Sequence, residues 1–114
     1  MSRSKYWDEV RSVVRQSRLN LDAFDPDRDD PSRCVDAGVR PIVSLYVRVR
    51  RDDATLSDVE RSLLSGELND WLSAYARAHG TARDADFTVH EVAMAYARDV
   101  SLENAMRRLL ALDG

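Results

Sequence analysis

The apolar and polar positions fall into stretches of different period. Between residues 4 and 18, Trp7, Val10 and Val14 recur at three- and four-residue spacing, with Tyr6 and Val13 beside them. They make one apolar stripe, which predicts an N-terminal helix. Arg11, Arg15 and Arg18 repeat at the same spacing on another face, as a basic patch or a solvated surface does. From Asn20 to Pro41 the periodicity dissolves around the prolines Pro26 and Pro31 and the acidic cluster Asp25, Asp27, Asp29 and Asp30. An acidic surface loop is expected over about 20–41, anchored by Leu21 and Phe24.

Residues 42–50 alternate strictly. Val43, Leu45, Val47 and Val49 share one side, and Ser44, Tyr46, Arg48 and Arg50 the other, which predicts a strand. A lone strand leaves a row of backbone groups unpaired, so it needs a neighbour. Two neighbours are available: the Cys34–Val39 stretch, or the same strand in a second copy. The second choice implies a homodimer.

Ser57 followed by Glu60 is a capping box, and a helix is expected over 57–79. Val59, Leu63, Leu68, Trp71, Leu72 and Tyr75 supply its buried side, Gly66 is a point at which it can kink, and Gly80 is placed to cap its end. Thr88 and Glu91 make a second capping box, ahead of Val89, Val92, Ala93, Tyr96 and Val100. The run 87–97 also reads as a strand, but its alanines favour helix. Ser101 opens a last helix with Leu102, Ala105, Met106, Leu109 and Leu110, completing a C-terminal helical hairpin over 88–112. The expected fold is therefore α+β, mostly helical, in a single domain spanning 1–114.

Composition narrows the function classes. With 44% apolar and 32% charged residues the chain has the balance of a globular domain. No apolar run approaches the eighteen or so residues that span a bilayer, and the first residues lead into an amphipathic segment instead of a signal-peptide core. A cytoplasmic protein with no membrane partner is expected. Cys34 is the only cysteine, which excludes an internal disulfide and a thiolate metal cluster and leaves a reactive thiol or an intermolecular disulfide. Arginine outnumbers lysine sixteen to one and aspartate outnumbers glutamate fifteen to five, a bias expected of a GC-rich, salt-adapted genome or of codon composition alone. A net charge of −3 announces no anionic partner.

Four places hold residues that could carry chemistry. Counted from Asp25, Asp27, Asp29 and Asp36 fall at positions three, five and twelve of a calcium-binding loop, but the turn position holds Asp30 where glycine is needed. Position seven is Pro31, Asp36 is too short for bidentate closure, and Arg28 and Arg33 repel a cation, so a solvated loop is the better reading. Residues 87–112 resemble a helix-turn-helix, in which Arg107 and Arg108 would contact DNA. The connection after Ala93 is too long for that motif, however, and lacks its glycine. Among acid–base groups, His79, His90, Glu91 and Cys34 are not gathered by their spacing around any nucleophile. Finally Tyr46, Arg48 and Arg50, followed by Arg51, would line the open face of the strand as an interaction surface or as a charged edge that resists aggregation.

The segment Leu-Asn-Asp-Trp-Leu-Ser-Ala-Tyr-Ala-Arg-Ala-His-Gly, residues 68–80, together with the arginine- and aspartate-rich composition, is similar to small uncharacterised proteins of haloarchaea. That resemblance implies no activity, cofactor or site residue. The expected function is a non-enzymatic interaction or regulatory module acting as a homodimer, without cofactor. The alternative is a DNA-binding regulator.

Overall fold

The computed structural model describes residues 4–112 and is all-helical. Helix α1 runs Trp7–Asp22, a π-helical segment Cys34–Val39 leads without a break into α2, Arg40–Arg51, and α3 spans Asp58–Ala78. Two short helices follow, α4 over Val89–Ala97 and α5 over Leu102–Leu109.

No strand forms among the described residues, so the α+β reading is overturned and residues 42–50 are helical. The pattern there satisfies two periods. Ile42, Val43, Leu45, Tyr46 and Val49 are buried at helical spacing, while Arg40, Ser44, Arg48 and Arg51 share the exposed side. β-branched side chains disfavour helix by only a few tenths of a kcal/mol each, whereas burying an aliphatic side chain is worth about 1.5–3 kcal/mol. A helix also pairs its own backbone, which a lone strand cannot. The Cys34–Val39 neighbour is helical too, and the strand-pairing argument for a dimer falls with the strand.

The π-helical segment solves two local problems. Pro41 has no N–H to offer the Ala37 carbonyl, and that oxygen instead lies 3.4 Å from Asn20 Nδ2 of α1. Around it the register widens, with the Arg40 N–H bonded to the Val35 carbonyl five residues back. Gly38 then faces the Trp71 ring, and a Cβ there would fall under 3.0 Å from three ring atoms. Phe24 meets the same ring edge-on, with centroids 6.0 Å apart.

α3 is the central element. Leu64, Leu68, Trp71, Leu72, Tyr75 and Ala76 form its buried side, and both predicted capping boxes are present, at Ser57/Glu60 and Thr88/Glu91. The helix continues through Gly66 to Ala78, and Gly80, two residues beyond its end, turns the chain with a φ of 80° that suits a residue without Cβ. Residues 81–88 run along α3 in an extended conformation held by a ladder of side chains. Ser73 Oγ accepts from the Ala85 N–H, Asn69 exchanges two bonds with the Phe87 backbone, and Ser65 Oγ accepts from the Val89 N–H. Four helical residues advance about 6 Å and two extended ones about 6.6 Å, so the two repeats stay in register.

α1 runs alongside α3 in the same direction. Ser4 contacts Glu60 at one end, and Ser17 and Arg18 contact Glu67, Asp70 and Trp71 at the other. α4 packs on α2 and α3, and α5 folds back on α4 to bury Leu102, Ala105 and Met106. The stretch 87–97, ambiguous in sequence, is helical from Val89 to Ala97.

Candidate interaction surface

The residues expected to form an open strand face are divided by α2. Tyr46 is 6% exposed, and its hydroxyl is 2.5 Å from His90 Nδ1, with the two rings edge-on. Arg48 is ion-paired with Glu9 of α1, and Arg50 lies over the Tyr46 ring at 5.9 Å. With Tyr46 buried and Arg48 engaged within the chain, these three residues do not form a common exposed patch.

Arg107 and Arg108 lie in the last turn of α5. Arg107 donates to the Leu112 carbonyl at 3.2 Å, and Arg108 is 3.4 Å from the Asp99 carboxylate. Both thus help to close the ends of the hairpin helices.

The acid–base candidates lie on separate elements, His90 and Glu91 excepted, which are neighbours on α4. His79 caps α3 and rests against Tyr75, with ring centroids 4.6 Å apart, while His90 sits in the first turn of α4. Cys34 is fully buried, and burial, the chief cause, pushes its thiol up to about 12. The acidic loop folds on itself: Asp25 Oδ1 accepts from the Asp27 N–H, Asp29 Oδ2 from the Asp25 N–H and Asp30 Oδ1 from the Ser32 N–H, while Arg33 pairs with Asp29 at 3.3 Å. Among the described residues no cluster of three or more His, Cys, Asp or Glu has a metal-holding arrangement.

An unpartnered surface emerges on the other side, between α1 and α3. Val59 and Leu63, expected on the buried side of α3, are 58% and 37% exposed, and Leu19 of α1 is 59% exposed. Leu19 and Leu63 line an open depression of about 480 Å³ with Val14, Arg11, Arg15, Arg18 and Glu67. Val59 lies one helical turn before Leu63 on α3.

The charges around it are uneven. Arg18 is held by Glu67 at 3.0 Å and by Asp70 at 2.6 Å, and these bonds raise its pKa, Asp70 contributing most. Arg11 and Arg15 are exposed and have no ion-pair partner among the described residues. The arginine row read from the sequence is therefore a basic rim, and what it flanks is apolar. Leu19 was the missed residue. Its signal was an aliphatic side chain on the arginine side of the stripe, four residues beyond Arg15.

One comparison bears on the chain as a whole. The model of a family described as a domain of unknown function, DUF8055, matches residues 4–111. The chain belongs to that family. The match runs from the segment before α1 to the turn after α5, so the depression between α1 and α3 lies wholly inside the DUF8055 domain. No curated protein and no solved structure matches the chain. Among the described residues no helix is long and apolar enough to cross a membrane.

Proposed function

We propose that the chain is a non-enzymatic interaction module that docks a partner protein on the face between α1 and α3. The observation that carries this reading is the exposed trio Leu19, Val59 and Leu63, grouped on two adjoining helices, whereas most large aliphatic side chains among the described residues are buried or pack against the core. Scattered exposed apolar residues are ordinary, but a grouped set beside a depression is the usual footprint of a protein contact. Val100, 92% exposed beyond the end of α4, is the scattered kind and serves as the internal control.

The test is photo-cross-linking in the native host, with a photoreactive side chain at Leu63 or, in parallel, at Val100. A discrete adduct from Leu63 and none from Val100 is expected, and the change Leu19→Gln should abolish it. An adduct of twice the chain's mass would identify the partner as a second copy, the homodimer expected from the sequence. Equal labelling at both positions, or none at either, would overturn the docking reading.

A further inference from the structure

Resting on that docking face, we infer that its occupant is an acidic amphipathic helix of another protein. Shape is the first argument. Two helices running side by side present ridges of side chains and a furrow, and their backbone groups are already bonded within each helix. A peptide that binds by strand addition needs an open sheet edge, and none exists among the described residues. A helix needs only apolar anchors three or four residues apart, and Val59 and Leu63 offer that spacing on α3, with Leu19 opposite on α1.

Charge is the second argument and selects the sign. The whole chain carries −3, yet the rim of this furrow holds Arg11 and Arg15 without carboxylate partners among the described residues. Glu67, the carboxylate lining the furrow, is already engaged by Ser17 and Arg18. An incoming helix with glutamates flanking its apolar stripe would satisfy both arginines while burying the trio. A second copy fits poorly, because a twofold contact sets each patch against itself and would bring the unpaired arginines together. Nucleic acid also fits poorly. Leu19, Val59 and Leu63 neither grip phosphate nor stack on bases, and the depression at Leu19 and Leu63 is lined by no aromatic side chain among the described residues.

The experiment is an NMR titration of the full chain, labelled with ¹⁵N, with two synthetic helices of about 20 residues. Both carry leucines at positions i and i+3 of each seven-residue repeat; one has glutamate flanks and the other lysine flanks. The glutamate helix should shift the resonances of Arg11, Arg15, Leu19 and Leu63, with affinity falling as salt is raised. The double change Arg11→Glu and Arg15→Glu should weaken that helix about tenfold and transfer preference to the lysine helix. Both positions are exposed, and an unchanged melting temperature shows that the variant folds. Leu63→Gln should weaken both helices.

Equal binding of the two helices, binding indifferent to salt, or no binding of the glutamate helix would overturn the inference. So would a concentration-dependent dimer in light scattering that Leu63→Gln dissolves, or displacement of the helix by random duplex DNA. A Leu63 cross-link that persists alongside a negative titration would remove the acidic helix and leave the docking face standing. Absence of both results would remove the two together.

Discussion

Three helices end in the same backbone device, and the residue at its key position differs each time. After α2, α3 and α5 the chain turns through a positive φ at Asp53 (57°), Gly80 (80°) and Ala111 (54°). In each the next amide reaches five residues back: Ala54 to Val49, Thr81 to Ala76 and Leu112 to Arg107. Glycine adopts this conformation freely and aspartate tolerates it, but an alanine Cβ there costs about 1–2 kcal/mol. Glycine's greater freedom in the unfolded chain offsets part of the gain. Ala111→Gly should therefore stabilise the domain by about 0.5–1 kcal/mol and raise the melting temperature by a few degrees in calorimetry. A lower melting temperature would show that the turn after α5 bears no such strain.

At the scale of elements, α1 and α3 are joined by a chain of side chains whose links differ in worth. Trp71 Nε1 donates to Ser17 Oγ at 2.8 Å, the Ser17 hydroxyl donates to Glu67 at 2.8 Å, and Glu67 and Asp70 hold Arg18. The Trp71–Ser17 link is buried, and Arg18 is half in solvent. Ser17→Ala would leave the indole N–H without an acceptor in a dry interior, at a cost of about 1–3 kcal/mol. Arg18→Ala removes two ion pairs in water-rich surroundings and should cost under about 1 kcal/mol. Urea unfolding of the two variants checks this order, and a larger loss for Arg18→Ala would mean that the polar chain is governed by its surface end.

Local chemistry was legible where it acts over a few residues. Ser57/Glu60, Thr88/Glu91 and Gly80 announced helix ends that form as read. Residues 42–50 were illegible because Ile42, Val43, Leu45, Tyr46 and Val49 fit a buried helix as well as a half-buried strand, and only the surrounding helices decide between them. The candidate face has a different origin. Val59 and Leu63 keep helical spacing with each other, but at about 3.6 residues per turn they fall on the side of α3 away from Leu64, Leu68, Leu72 and Tyr75, so the spacing within α3 already sets them outside its core. Gly38 shares the limit of residues 42–50: nothing in its own stretch of sequence announces the close approach of Trp71, more than thirty residues later.

Over the whole molecule, charge is arranged so that stability should depend on pH at both extremes. Glu60 is fully buried. Burial, the largest single influence, pushes its carboxyl up, but hydrogen bonds from Ser57 and Ser4 together outweigh it and hold the pKa below the ordinary 4.5. Asp99 is lowered as well, chiefly by Asn104, against burial and with help from the Val100 N–H and Arg108. Groups of this kind contribute stability that is present above the unfolded pKa and is lost as pH falls through the folded one. At the alkaline end Tyr75 is pushed up to about 12 by burial and by donation to Glu103 at 2.7 Å, alongside the Cys34 thiol. Their contribution is present below the unfolded values of 10.0 and 9.0 and is lost as pH rises towards 12. Stability from denaturant unfolding should form a plateau from about pH 5 to about pH 8.5, with each titrating group adding at most about 1.4 kcal/mol per pH unit to the falling limbs. Glu60→Gln should flatten the acid limb and leave the alkaline one, and Tyr75→Phe should do the reverse. An acid limb of undiminished slope in Glu60→Gln would mean that the capping carboxylate between Ser4 and Ser57 does not couple α3 to the start of α1 through its charge.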